Sequence, residues 1–181
     1  RLVTRLFSVR HELQPASTQE SSPGGTAWLV NGRRCSPVEE SQAVKLSVII
    51  PCYNVSAHLP TLIRSLHGNL RSDFEFVFVE DASTDSTGDA LDELTVDLPG
   101  ARVVRHEVNL GLSAARNTGL AHAEGTYLAW LDADDWIGPG YLDQLVRVIE
   151  RLGCEFVRTD HVRVTGRRRT VVRSPETRRN L

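Results

Sequence analysis

The chain has 181 residues, 40% hydrophobic and 24% charged, a globular balance rather than a disordered one. Cys35, Cys52 and Cys154 are odd in number and lack CxxC spacing, which argues against a disulfide framework or structural zinc and favours a reducing compartment. The net charge of −2 divides into +1 over residues 1–44, −9 over 45–157 and +6 over 158–181. A nucleic-acid binder usually spreads positive charge over its folded body, so no nucleic-acid partner is expected.

Residues 1–44 differ from the rest. The stretch from Gln14 to Gly25 is small, polar and rich in Ser, Pro and Gly, and it suggests a linker. Short apolar patches at Leu2 to Val9 and Ala27 to Val30 suggest strands or the tail of a preceding domain. A domain boundary is therefore expected near Val44, with residues 45–181 as the main domain. Met is absent even at position 1, so the chain is expected to be a processed product or a piece of a longer one.

From Lys45 onward, strand and helix patterns alternate. Leu46 to Ile50 is a β-branched run ending at Pro51, as in a buried strand. His58 to His67 spaces Leu59, Leu62, Ile63 and Leu66 as a helix does. Phe74 to Val79 suggests a second strand, Ser86 to Leu98 a helix, and Arg102 to His106 a third strand. Ser113 to Ala123 suggests a helix with Ser113 as its N-cap. Tyr127 to Leu131 suggests a fourth strand. Pro139 to Leu152 suggests a helix that Pro139 starts and Gly153 ends. Glu155 to Thr159 suggests a fifth strand, and His161 to Val172 a hairpin around Gly166. This alternation predicts an α/β fold with a mostly parallel sheet between helices. Ligands of such sheets bind beyond the carboxyl ends of the strands.

Those ends carry the chemistry. Pro51-Cys52-Tyr53-Asn54 follows the first strand, Glu80-Asp81-Ala82-Ser83-Thr84-Asp85 the second, and Asp132-Ala133-Asp134-Asp135 the fourth. Glu80, Asp81, Asp132, Asp134 and Asp135 gathered in one dry site would repel, and a divalent cation would relieve the repulsion. Oxygen ligands suit Mg²⁺ or Mn²⁺, which usually hold substrate phosphates as well. One acidic turn is ordinarily a helix cap or a solvated loop, and Asp85 before the Ser86 helix suits that role. Two acidic strand ends in one parallel sheet weaken that reading and put a metal-phosphate site on an equal footing with it. Cys52 lacks a base partner in the sequence and suits a small core residue. His106, His122 and His161 lack metal-ligand spacing and suit structural or exposed positions.

Four segments in order resemble family 2 glycosyltransferases, which have the Rossmann-like GT-A fold. They are Ser47 to Asn54, Glu80 to Thr87, Asn109 to Gly119, and Leu131 to Asp135 with its Asp-x-Asp motif. The order and spacing agree over about residues 45–160. The resemblance implies a nucleotide pocket lined by Pro51 and Tyr53. Asp81 would accept a hydrogen bond from the base, since an ionised carboxylate only accepts. Asp132 would lie near the ribose or sugar, and Asp134, with Asp132, would hold the metal that bridges the diphosphate. Arg116 has two readings of equal weight, an approach to the nucleotide and a helix-surface salt bridge. Asn54, Asn117 and Gly119 would shape backbone, and Gly111 would serve a turn. Glu80 and Ala82 stand where the family often has Asp and Gly, which matters at Ala82 if that position takes a positive φ.

The implied partners are a nucleotide-diphosphate sugar donor, a divalent metal (Mn²⁺ or Mg²⁺), and an acceptor glycan, lipid or other hydroxyl compound. Inverting members use a carboxylate base well downstream of Asp-x-Asp. Asp143, Glu150, Glu155, Asp160 and Glu176 fall in no such motif, so no base is assigned and the acceptor half is expected to be missing. The chain alone is then expected to be inactive. The alternative is a truncated or degenerate module that binds nucleotide without transfer. A nucleotidyltransferase is disfavoured, since no Gly-rich phosphate loop follows the first strand. A cytoplasmic location is expected. The Arg-rich end leaves peripheral association with the inner membrane face open, although a solvated hairpin edge is the preferred reading.

Overall fold

The computed structural model describes residues 29–30, 33–34, 44–153, 157–165 and 167–172. The proposed linker and the Leu2 to Val9 patch lie outside them. Strands β1 (Leu29–Val30) and β2 (Arg33–Arg34) form a small antiparallel pair. The main body then alternates β3 (Leu46–Cys52), α1 (Leu59–His67), β4 (Phe74–Glu80), α2 (Thr87–Leu94), β5 (Ala101–Arg105), α3 (Leu112–His122), β6 (Tyr127–Trp130) and α4 (Tyr141–Leu152). Strands β7 (His161–Thr165) and β8 (Arg168–Val172) form an antiparallel hairpin. On it Arg163, Arg168 and Arg169 are exposed.

The main sheet is parallel, in the order β5-β4-β3-β6. The chain steps outward from β3 to β5, then returns to lay β6 on the other side of β3. That reversal opens a crevice beyond the strand ends beside β3. Every residue of β3 and of β4 is buried, as expected where helices cover both faces. Asp81 N donates to Cys52 O and Leu131 N to Ile49 O, so odd positions of β3 turn their backbone groups toward β6. Pro51 therefore lacks an amide on the side where the β6 register has already ended at Ile49↔Trp130.

Side-chain alternation sorts the core into two faces. Leu46, Val48, Ile50, Phe76 and Phe78 pack with Leu59, Leu62 and Leu66 of α1, Leu91 of α2, and Leu142, Leu145, Val146 and Ile149 of α4. Val77 and Val79 pack on the other face with Ala115 of α3. Helix α3 lies so close to the sheet that a Cβ on Gly119 would fall 2.2 Å from Cγ2 of Ile49. At the amino ends of the strands, buried Glu75 accepts from Ser47 Oγ (2.5 Å), Arg102 Nη2 (2.8 Å) and the Glu124 amide (2.6 Å), and Ser47 Oγ accepts from the Gly125 amide (2.8 Å). This clasp joins β3, β4, β5 and the turn before β6.

Several expected boundaries move for local reasons. Helix α3 begins at Leu112 and its N-cap is Gly111, not Ser113. Helix α2 starts one residue after Ser86 and ends at Leu94. There Thr95 N and Oγ1 both donate to Leu91 O and close the last turn. Helix α4 starts at Tyr141 rather than Pro139, because Gly140 turns left-handed (φ +69°) and donates its amide to Gly68 O. Gly153 (φ +59°) ends α4 as expected. Residues 157–159 form no strand, and 155–156 lie outside the described residues. No helix among the described residues is long and apolar enough to cross a membrane.

Candidate functional site

A cavity of about 390 Å³ opens beyond the carboxyl ends of the parallel strands. Pro51, Cys52, Tyr53 and Val55 line it from β3 and its loop, and Asp81 from the end of β4. Asn109, Gly111, Leu112 and Ala115 line it from the β5–α3 turn and α3. Asp132, Ala133 and Asp134 complete it after β6. The structure thus brings together Pro51, Tyr53, Asp81, Asp132 and Asp134, as expected from the strand ends.

The wall between β3 and β4 is strapped by backbone donors. Asn54 (φ +51°) donates its amide to Ser83 Oγ (3.1 Å), and its Oδ1 accepts from the Thr84 amide at 2.9 Å. Asp85 accepts from the Thr87 amide (2.9 Å) through Oδ1 and from the Ser56 amide (3.2 Å) and hydroxyl (2.7 Å) through Oδ2. It therefore caps the first turn of α2, as its position suggests. The Thr87 and Ser56 contacts lower its pKa to about 2. Ala82 has φ +52°, so this position does take the left-handed conformation for which the family's glycine is suited.

Asp81 is 2% exposed, and three donors of the protein reach its carboxylate. Its Oδ1 accepts from the Leu110 amide (2.8 Å) and pairs with His106 Nδ1 (2.6 Å), while Oδ2 accepts from the Gly111 amide (2.8 Å). Burial alone would raise its pKa. The Leu110 amide, the His106 ring and the Gly111 amide outweigh that and hold it below the ordinary carboxylate value. Gly111 takes φ +86° and ψ +166°, a glycine region, while directing its amide at Asp81. This accounts for the displaced N-cap, since the residue that starts α3 is chosen for its backbone rather than for a capping side chain.

The β6 end is built differently. Asp132 is partly exposed, and its Oδ1 accepts from Arg116 Nη2 at 2.8 Å. Arg116 therefore holds a site carboxylate, and its own Nε is buried with no hydrogen-bond partner among the described residues. Asp134 is exposed on the cavity wall, and no hydrogen bond or ion pair from the described residues engages its carboxylate.

The five acids do not form one cluster. Glu80 follows Phe76 and Phe78 onto the α1–α2 face, where Oε1 accepts from the Ser83 amide at 2.7 Å. Asp135 is buried away from the cavity lining, with its amide donating to Asp132 O. Among the described residues no three His, Cys, Asp or Glu side chains converge to hold a metal by themselves. The remaining donor set still fits a hard cation that takes one or two carboxylates and completes its shell with phosphate oxygens. Burial pushes the Cys52 thiol pKa well up, with a smaller push from Glu80, which suits a core residue rather than a nucleophile. Asn117 is exposed on α3, and His122 is exposed with Nδ1 on Thr118 O. No partner for His106 is evident from its spacing, yet the ring is buried against Asp81 and also contacts Thr118 Oγ1 at 2.8 Å. Its place just past β5 was the available signal.

The reversed parallel sheet, with its cavity over the strand ends, is an open α/β arrangement of the kind that GT-A domains share. Residues 47–180 match the family described as "Glycosyl transferase family 2". The chain belongs to that family. It is 33% identical over 127 residues to the uncharacterized glycosyltransferase EpsJ of Bacillus subtilis, covering 70% of this chain and 37% of EpsJ. Among solved structures it resembles S. aureus TarS 1-349 in complex with UDP-GlcNAc (TM-score 0.56, 32% identity, 59% of this chain, 31% of TarS 1-349). It also resembles the mannosyltransferase PcManGT of Pyrobaculum calidifontis in complex with GDP-Man and Mn²⁺ (TM-score 0.54, 28% identity, 58% of this chain, 32% of that one). The chain spans about a third of the length of EpsJ, of TarS 1-349 and of PcManGT.

Proposed function

We propose that this chain is the donor-binding part of a glycosyltransferase that moves a sugar from a nucleotide-diphosphate sugar to an acceptor hydroxyl, with metal assistance and inversion. Residues 45–181 are the GT-A domain on this reading, and 1–44 a linker or the tail of a preceding domain. The observation that carries it is the contrast across one cavity between Asp81, engaged by amide donors, and Asp134, exposed and without a partner among the described residues. Asp81 suits the base, Pro51 and Tyr53 the flat walls beside it, and Asp132 a ribose or sugar hydroxyl. Arg116 orients Asp132 and lends positive charge near the diphosphate. Asp134, with Asp132, would hold Mn²⁺ or Mg²⁺, which when bound supplies positive charge against the leaving nucleotide diphosphate. UDP-GlcNAc in TarS and GDP-Man with Mn²⁺ in PcManGT support this donor class.

No described carboxylate is assigned as the base, so the 181-residue chain by itself is expected to bind donor without transfer. Calorimetry on the complete protein with UDP and GDP, with and without Mn²⁺, tests the proposal. Metal-dependent binding is expected, with a loss of about a hundredfold in Asp134→Ala, near the upper range for disturbing a metal site. Unchanged metal-dependent binding in that variant overturns the metal assignment.

A further inference from the structure

We infer that His106 is a positioning residue for the donor nucleotide, holding Asp81 so that Oδ2 is its one carboxylate oxygen with capacity left for a ligand. The inference rests on the donor-site reading above. It starts from lone pairs. A carboxylate has about four acceptor sites, two on each oxygen. On Asp81 the protein fills both of those on Oδ1, with the Leu110 amide and His106 Nδ1, and one on Oδ2, with the Gly111 amide. Among the described residues one site then remains, on Oδ2 of a residue that lines the cavity.

His106 makes that arrangement single-valued. The two amides sit next to each other in one turn and take one oxygen each, so both restraints come from a single segment. The ring adds a third donor from the end of β5, and its side chain is 8% exposed. Its far nitrogen, Nε2, contacts Thr118 Oγ1 at 2.8 Å, which anchors the ring to α3. In the neutral ring Nδ1–H donates to Asp81 and the Thr118 hydroxyl donates to Nε2. In the protonated ring both nitrogens donate, and Thr118 Oγ1 accepts. The orientation of Asp81 is the same in both states, so the role needs no titration. The depressed pKa of Asp81 agrees with a carboxylate kept ionised and therefore acceptor-only.

The chemical consequence is selectivity for a base that presents a ring N–H. Uracil and guanine do, whereas cytosine and adenine present a ring nitrogen acceptor at the corresponding place. An acceptor fixed toward the cavity favours the first pair and repels the second. A carboxylate free to turn loses this discrimination before it loses the diphosphate contacts, which lie at the β6 end of the cavity.

The test uses the complete protein with Mn²⁺ and calorimetry against UDP, GDP, CDP, ADP and inorganic pyrophosphate. In His106→Phe the affinity for the favoured nucleotide, UDP or GDP, is expected to fall about tenfold, the value of one charge-assisted hydrogen bond. Its preference over CDP and ADP narrows, and pyrophosphate binding stays unchanged. His106→Asn carries an amide nitrogen close to the place of Nδ1 and is expected to restore most of the affinity and the preference. A purely structural role would weaken all five ligands together, with no rescue by Asn, and that result overturns the inference. Full affinity and preference in His106→Phe overturns it as well, while leaving the donor site intact. Failure of the unaltered protein to bind any of the four nucleotides overturns the donor-site reading and this inference with it.

Discussion

The two acidic strand ends differ in who satisfies the carboxylates. After β4, protein donors reach every acid: Ser83 reaches Glu80, Leu110, Gly111 and His106 reach Asp81, and Thr87 and Ser56 reach Asp85. After β6, Arg116 reaches one oxygen of Asp132, and Asp134 lines the cavity with no partner among the described residues. The first end is preorganised, its carboxylates ionised and hydrogen-bonded, so it can present a fixed acceptor to an uncharged group. The second keeps its charge and needs a cation from outside. The same residue type thus serves two purposes, and the local supply of backbone N–H groups decides which.

The largest expected effect breaks the first end. Asp81→Ala removes the acceptor for two amides and the His106 ring, which leaves partly buried donors unsatisfied, and should destabilise the domain by about 3 kcal/mol in urea unfolding. Asp134→Ala, in contrast, should change stability by less than about 0.5 kcal/mol, as expected for an exposed side chain without partners. A large stability loss in Asp134→Ala would erase the distinction between the two ends.

Acid sharpens the comparison next. The folded-state pKa values of Asp81 and Asp85 are depressed, the latter to about 2. A depressed pKa contributes stability above the unfolded value near 4, and that contribution is lost as pH falls through the folded value. Stability should therefore drop between about pH 4 and pH 2, and Asp85→Asn should flatten part of that drop in a pH series of unfolding curves. The smallest effect concerns Ala82. Ala82→Gly relieves a left-handed Cβ and should stabilise by about 0.5–1 kcal/mol, with the entropy of glycine opposing part of the gain. A loss on that substitution would mean that the Ala82 methyl packs to some purpose.

Much of this was legible because strands buried on both faces are written as apolar runs, as in Leu46 to Ile50 and Phe74 to Val79. The residues after them then identify the crevice without knowledge of any side-chain contact. The direction of Glu80 was also accessible: period-two alternation puts it on the face of Phe76 and Phe78, opposite Asp81. His106 was harder, because a lone histidine acquires meaning only from partners 25 and 12 residues away. The start of α3 departs from its capping signal for a related reason. Capping preference favours Ser113, but a tertiary demand for the Gly111 amide at Asp81 set the boundary two residues earlier. The absence of strand at 157–159 shows how little a short apolar run says without a neighbouring edge to pair with.

The polar clasp around Glu75 has a consequence for how the domain breathes. It sits at the end of the sheet remote from the cavity and fastens three strands and the turn before β6. Hydrogen exchange should therefore be graded along the strands. The Glu124 and Gly125 amides, held by Glu75 and Ser47, should exchange only through openings near the global unfolding free energy. The Leu110 and Gly111 amides, held by one side chain at the rim, should exchange through smaller local openings and slow down when nucleotide occupies the cavity. The floor of the molecule then acts as a fixed base against which the mouth can loosen to admit and release what it binds.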